Sequence, residues 1–231
     1  MNMLYIVSTP IGNLDDLSLR QAKTLVNSDI ILAEDTRSAK ILLDAIKQRF
    51  QFQVSSFKSP VIVSYYKEVE FEKLPEIISW LKQEKKVSLI SESGSPLISD
   101  PGYLLVKTVI KEKLPLTIVP GPSAIISGLQ LSGINPNQFM FLGFLPKKEN
   151  QIVQLINQLY TIKKTFPEMV FVFYESPQRI YRTLQCFKSL EWRSEIVICR
   201  EMTKKFEEII RGKAEELLKR NYKGELTVVI Q

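Results

Sequence analysis

The sequence predicts an α/β protein of two domains, a mostly parallel sheet in the first and a mixed sheet in the second. Three observations carry this. Short apolar runs alternate with segments of helical periodicity through the first half. The last apolar runs of the second half stand close together with little helix between them. The length of 231 residues suits one large domain or two smaller ones at about 100–200 residues per domain. A chain this long buries roughly 70% of its unfolded surface, so its core needs no disulfide or metal.

Taken in order, Leu4–Thr9 reads as a strand, Leu17–Asn27 as a helix, Ile30–Glu34 as a strand and Arg37–Gln48 as a helix. Val61–Tyr65, Val87–Ser91 and Leu116–Pro120 are further strands, with helices at Phe71–Gln83 and Gly102–Lys113 between them. Continuous apolar strands joined by helices indicate a parallel sheet covered on both faces. Strands at Phe139–Phe144, Met169–Tyr174, Ile196–Arg200, Phe206–Arg211 and Leu226–Ile230 follow. Five strands on either side place the domain boundary near residues 115–121, giving domains 1–117 and 118–231. No internal repeat or low-complexity tract is visible.

Composition excludes several chemistries. Histidine is absent, so a Ser-His-Asp triad, a Cys-His pair and a His-ligated zinc are excluded. Cys186 and Cys199 are too few for a structural zinc and read as buried thiols in a reducing compartment. The net charge is +6. Residues 1–116 carry 15 basic and 14 acidic groups, residues 117–231 carry 16 and 11. A basic second half suits either a polyanionic partner or a solvated surface. Met1–Thr9 is apolar but lacks a basic start and a small-residue cleavage site. Leu114–Leu131 is cut by Pro115, Pro120, Gly121 and Pro122, and reads as a strand and a helix joined by a turn. The expectation is a cytoplasmic protein with no membrane span.

Three turns follow strands and lead towards helices: Ser8–Leu14, Ser91–Gly102 and Pro120–Ala124. In open α/β sheets, ligands bind at the carboxyl ends of strands, where small residues admit a ligand to the backbone. Asp100 before Pro101 reads as an N-cap followed by proline at the first helical position, and Gly121 before Pro122 has the same form. Such helix starts offer N–H groups to a carboxylate or phosphate. No GxxxxGK[ST] or GxGxxG pattern is present, which removes support for a P-loop or the standard dinucleotide site. Charged groups also end apolar strands: Glu34-Asp35-Thr36-Arg37, Tyr174-Glu175-Ser176-Pro177 with Arg179 nearby, and Arg200-Glu201-Met202-Thr203-Lys204. Ion pairs of Arg37 with Asp35 and Arg200 with Glu201 are the structural alternative to an active site there.

Seven motifs run in order along the whole chain: Leu4–Leu14, Ala33–Arg37, Leu97–Tyr103, Gly143–Lys148, Tyr174–Pro177, Arg200–Glu208 and Lys223-Gly224-Glu225. Together they resemble the ribosomal RNA small subunit methyltransferase I family, of the tetrapyrrole-methylase-like superfamily. The resemblance implies two α/β domains with S-adenosylmethionine (SAM) in a cleft between them, in a homodimer. It implies methylation of the ribose 2′-hydroxyl of a decoding-centre cytidine, position 1402 of 16S ribosomal RNA in the small ribosomal subunit. By motif position, Pro10, Ser93, Gly94, Ser95, Ile98, Ser123 and Ala124 fall in the cofactor turns, and Tyr174, Glu175 and Met202 at strand ends that line the cofactor. Where the family usually reads Asp-Ala-Gly-Thr-Pro, this chain has Glu92-Ser93-Gly94-Ser95-Pro96. Tyr66 and Gln178 stand where histidines are frequent. The chain ends at Gln231, without the small C-terminal helical segment common in the family.

SAM carries its own activated methyl group, so the implied reaction calls for no metal. With no histidine, a general base for a ribose hydroxyl must be a carboxylate, lysine or tyrosine. Asp35, Asp100 and Glu175 are the candidates, with proton loss to water as the alternative. Arg37, Lys147, Lys148 and Lys204 are candidates for phosphate contacts. Two other readings remain: a methylase of a tetrapyrrole or other small molecule, and a non-catalytic ribosome-binding relative.

Overall fold

A computed structural model describes residues 3–50 and 59–231. The chain divides into two compact units, Met1–Ser123 and Ala124–Gln231. The boundary expected at 117/118 falls inside the last strand of the first sheet. That strand pairs with Leu4–Val7 along its length, so it and the turn after it stay with the first unit.

The first unit runs β1 (Leu4–Val7), α1 (Leu19–Val26), β2 (Ile30–Ala33), α2 (Thr36–Phe50), β3 (Val61–Ser64), α3 (Glu70–Lys82), β4 (Val87–Ile90), α4 (Tyr103–Lys111) and β5 (Leu116–Val119). All its strand pairs are parallel, in the order β3-β2-β4-β1-β5. Alternation along each strand sorts its side chains to two faces. On β2, Ile31 and Ala33 join Leu25, Leu42, Leu43 and Ile46 of α1 and α2. Ile30 and Leu32 join Ile77, Leu81, Leu105 and Val109 of α3 and α4. The chain moves outward from β1 to β3 with helices on one face, then returns to β5 with helices on the other. This is what right-handed crossovers require. It sends the paths after β1 and β4 to opposite faces and opens a crevice between adjacent strands.

Local signals set the helix ends. Ser18 caps α1: its Oγ accepts from the Gln21 N–H at 3.2 Å, and Gln21 Oε1 accepts from the Ser18 N–H at 2.6 Å. The helix therefore starts at Leu19, two residues later than periodicity alone suggests. A short 3-10 turn, Leu14–Asp16, precedes it.

The second unit runs α5 (Ala124–Ser132), β6 (Phe139–Phe144), α6 (Glu149–Thr165), β7 (Val170–Glu175), α7 (Ile180–Ser189), β8 (Ile196–Arg200), β9 (Glu208–Gly212), α8 (Ala214–Leu217) and β10 (Leu226–Ile230). Its sheet is mixed, in the order β6-β7-β10-β8-β9. β6 lies parallel to β7, and the other pairs are antiparallel. Helices α6, α7 and α8 cover one face through Ile152, Ile156, Leu184, Phe187 and Leu217. No helix is among the elements read from the sequence here, although the spacing of Ile152, Ile156 and Leu159 is helical.

Helix α5 covers the opposite face, over Val172, Cys199, Thr227 and Val229. Gly128 permits this approach, because a Cβ there would stand 2.9 Å from Thr227 Cγ2. Cys199 is fully buried, and burial pushes its thiol up to about 11, so it is an inert packing group. Gly128→Ala should lift α5 off the sheet and cost about 1–3 kcal/mol, read as a lower urea midpoint with an unchanged m-value.

Candidate functional site: the crevice at the strand ends of the first sheet

The three turns singled out in the sequence are laced together. Thr9 and Gly94 exchange backbone hydrogen bonds, Thr9 N–H to Gly94 O at 2.8 Å and Gly94 N–H to Thr9 O at 3.2 Å. The Thr9 hydroxyl donates to Ser91 O at 3.3 Å, and the Ser91 hydroxyl to Gly94 O at 3.0 Å. The Ser8 and Ser95 hydroxyls share a bond of 3.2 Å, and Ser95 Oγ reaches Pro122 O at 3.5 Å. Gln21 Nε2 donates to Ser8 O at 2.7 Å. Gly94 has φ +82° with Ile11 Cγ2 at 3.3 Å from where a Cβ would stand, so glycine is required twice over.

Beside this lacing lies a cleft of about 200 Å³, walled by Thr9, Pro10, Ala33, Glu34, Asp35 and Glu92. It sits at the carboxyl ends of β1, β2 and β4, the place where the crossovers diverge. It is smaller than the roughly 300–1,000 Å³ of a typical ligand pocket, so on its own it takes one part of a nucleoside-sized ligand. Its carboxylates suit ribose hydroxyls and a positively charged group, which SAM possesses. Among the described residues, no cluster of acids, Cys or His could hold a metal.

The expected acids separate by environment. Asp35 Oδ1 accepts from the Arg37 N–H at 2.7 Å, and Arg37 Nη2 pairs with Asp35 Oδ2 at 2.9 Å. The Arg37 side chain holds the Asp35 carboxyl below the usual carboxylate range. Asp35 thus fixes the start of α2, and Arg37 is an exposed cation with one carboxylate partner. Among the described residues, Asp100 has neither an ion pair nor a hydrogen bond. Burial, then Glu34 and Glu92, push its carboxyl up to about 6.

Asp100 is not the N-cap expected of it. Helix α4 begins at Tyr103, after Gly102 at φ +125°. Its first N–H groups are taken by Glu70, whose Oε1 accepts from Gly102 N–H at 3.1 Å and Leu104 N–H at 2.9 Å. The anion at this helix start is the protein's own, so no ligand carboxylate is held there. Likewise α5 begins at Ala124 rather than at Pro122. Between Gly94 and Gly102 the loop also holds Leu97 at φ +71° and Ser99 at φ +70°. Non-glycine residues in the left-handed region mark strain, which gathers at functional sites. Ser93 and Ile98 are exposed on this loop.

In the second unit, Glu175 is an anchor. Its side chain has 0% exposure. Oε1 pairs with Arg179 Nε at 3.3 Å and accepts from Ser176 N–H at 2.9 Å, and Oε2 accepts from the Thr183 hydroxyl at 2.7 Å. Arg179 in turn donates to Leu145 O and to Pro146 O, the latter at 3.0 Å. Arg182 donates to Lys147 O at 3.0 Å. The Tyr174–Arg179 motif therefore shapes the Gly143–Lys148 motif, whose Lys147 and Lys148 remain exposed. A carboxylate so enclosed does not reach a substrate.

Tyr174 packs between Phe141 and Phe144, with ring centroids at 5.1 and 5.5 Å. Met202 is buried. Lys204 pairs with Glu201 at 3.1 Å and Glu225 at 3.0 Å. Arg200 pairs with Glu208 at 3.3 Å, not with Glu201. The strand pairing of β8 with β9 sets that choice, because it places Arg200 directly opposite Glu208. Glu70 carries no sequence signal of its own, since it acts on backbone groups distant in sequence, and Gln21 is marked only as the partner of Ser18 in a capping box, not by its bond to Ser8 O.

The fold and this crevice define the class. Residues 3–218 match the family model of tetrapyrrole (corrin/porphyrin) methylases, and the chain belongs to that family. The structure superimposes on a crystal structure of diphthine synthase with a TM-score of 0.71 at 13% identity, over 99% of this chain and 89% of that one. At that identity the likeness concerns the fold alone. Relatives named ribosomal RNA small subunit methyltransferase I are far closer in sequence. The protein of Thermotoga maritima is 40% identical over 100% of this chain and 98% of its own. That of Hydrogenobaculum sp. is 38% identical over 98% and 94%. Within the methylases, the chain is a member of the ribosomal RNA small subunit methyltransferase I family.

Glu175→Ala should leave Arg179 without its buried partner and release the Leu145–Lys148 loop. The expected cost is about 3 kcal/mol, measured by urea denaturation, with Glu175→Gln retaining part of it. An unchanged midpoint for Glu175→Ala would remove the anchor role.

Proposed function

We propose that the protein is a SAM-dependent methyltransferase acting on the ribose 2′-hydroxyl of a decoding-centre cytidine in 16S ribosomal RNA, in the cytoplasm and as a homodimer. Full-length similarity to proteins bearing the ribosomal RNA methyltransferase name supports the substrate class. The observation that carries the chemistry is the acid-walled crevice at the strand ends, with an unpaired carboxylate, Asp100, among the charges around it.

Bound SAM supplies a methyl group already activated by a positive sulfur. The protein's part is positioning and proton handling. Pro10, Gly94 and Ser95 bring backbone close to the ligand, and Ser93, Ile98, Ser123, Ala124, Tyr174 and Met202 complete the proposed set of cofactor residues. Glu34, Asp35 and Glu92 accept from hydroxyl and ammonium donors. Asp100 accepts the proton of the attacking hydroxyl, for which a pKa near working pH is suited. Arg37, Lys147 and Lys148 meet phosphates without reading sequence. Lys204, held by two carboxylates, gives up the phosphate role expected of it and braces its loop.

The test is methylation of small ribosomal subunits that lack decoding-centre methylation, with labelled SAM and mass mapping of the RNA. Label on one cytidine ribose is expected. Label on no RNA, with SAM bound, would move the substrate to a small molecule. In the same assay, Asp100→Asn should lower kcat about 10²–10⁴-fold. It should also abolish the acid limb, along which the wild-type rate falls as pH drops through about 6. Stability has the opposite sense. The folded pKa of Asp100 lies above its unfolded value of 3.8. Its stabilising share is therefore full below pH 3.8 and lost as pH rises through about 6. At pH 8 Asp100→Asn should be more stable than wild type by about 1 kcal/mol after allowance for solvent screening. A variant of full activity and unchanged pH profile would rule Asp100 out as the base.

A further inference from the structure

The loop joining β8 to β9, residues 201–207, carries two strained residues. Glu201 has φ +49° and Thr203 φ +65°, both non-glycine residues in the left-handed region. Several bonds brace the loop. Glu201 N–H donates to Glu225 O at 3.0 Å, and Glu225 N–H returns to Glu201 Oε1 at 2.9 Å. Lys204 Nζ bridges Glu201 and Glu225. Glu207 Oε2 accepts from Thr203 N–H at 2.6 Å, and Glu207 N–H donates to Lys204 O at 3.1 Å.

Between these braces stand two residues that the fold does not use. Phe206 is 64% exposed. Among the described residues the Lys205 ammonium has no carboxylate partner, and it lies 5.7 Å from the centroid of the Phe206 ring. The braced loop thus presents an aromatic face and a cation side by side, in the more basic half of the chain. Singly exposed apolar side chains are common on protein surfaces, and what distinguishes Phe206 is the braced loop that holds it and the cation beside it. A single ring beside a cation, with no surrounding groove, offers an area of one flat ring rather than a peptide- or helix-binding surface.

We propose that Phe206 stacks on an unpaired nucleobase of the RNA substrate while Lys205 contacts the adjoining phosphate. The pairing is what single-stranded RNA calls for: its bases splay out and stack on aromatic side chains, and cations follow its backbone. The proposal rests on the reading of the protein as an RNA methyltransferase and adds the contact by which it grips the strand. It also explains why the loop is strained. A stacking platform is useful only if its angle is fixed before the base arrives, and the Glu201, Lys204 and Glu207 bonds fix it.

The experiment uses the full chain and two readouts. The first is anisotropy of a fluorescein-labelled single-stranded oligocytidine RNA, which needs no turnover. Phe206→Ala should weaken binding about tenfold, Phe206→Leu should match it, and Phe206→Trp should restore it. Lys205→Ala should flatten the dependence of log affinity on log salt by about one unit. The second readout is methylation of small subunits lacking the modification. There Phe206→Ala should raise KM for the subunits about tenfold with kcat and SAM affinity close to wild type. Folding is checked by the urea midpoint, which an exposed ring should leave unchanged. Equal RNA affinity for Phe206→Ala and wild type overturns the inference, as does a Phe206→Leu variant that behaves like wild type. Failure of the wild type to methylate subunits overturns the reaction instead, and leaves the anisotropy result to decide the contact.

Discussion

The backbone pair between Thr9 and Gly94 is the constraint on which the site depends. Adjacent parallel strands that send their chains to opposite faces leave two diverging turns with unpaired backbone groups, and buried unpaired groups are costly. Thr9 and Gly94 close that gap with two hydrogen bonds. The Thr9 and Ser91 hydroxyls satisfy the carbonyls around them. Residue 94 must be glycine because the turn needs a positive φ there, with Ile11 closer to the site of a Cβ than ordinary van der Waals contact. Once the turns are held, the walls of the crevice follow: Pro10 from one, Glu92 from the other, and Glu34 and Asp35 from the end of β2 between them.

The second unit solves a related problem with charge. Strand β7 ends in Glu175, and the loop it must organise, Leu145–Lys148, follows its parallel neighbour β6. Arg179 bridges the two because a guanidinium donates to several acceptors at once. Its partner carboxylate is buried and satisfied on both oxygens, as a buried charge requires. The motif Tyr174–Pro177, which in sequence resembles a catalytic strand end, is in this chain a support for the lysine-bearing loop.

The order of elements in the first unit and the strands of the second were legible in the sequence because apolar strands and helices of period 3.6 are local patterns, whereas α6, α7 and α8 were not read. Strands such as Phe139–Phe144 and Leu226–Ile230 are read to the residue. Helix starts were less legible. Asp100-Pro101 has every local feature of a cap, yet the cap of α4 is a side chain from α3, Glu70, about thirty positions earlier. Ion pairs failed for the same reason. Arg37 with Asp35 is local and was foreseen. Arg200 chooses Glu208 because β9 lies beside it in the sheet, which no local pattern records. The three turns were visible as Gly/Pro-rich strand ends, but their mutual hydrogen bonds, across more than eighty residues, are a property of topology.

The acids show why residue type alone does not assign chemistry. Glu70, Glu175, Glu201 and Glu207 each hold a backbone N–H, and Asp35 does the same for α2. Each such bond ties the carboxylate to its place. Asp100 differs in the sign of its environment. Burial and two neighbouring acids raise its proton affinity, and no hydrogen bond opposes them. Its loop carries Leu97 and Ser99 in strained conformations, held at one end by the Thr9–Gly94 pair and at the other by Glu70. The strain is thus maintained by contacts at both ends of the loop, and the carboxylate between them sits in surroundings that favour its protonated form.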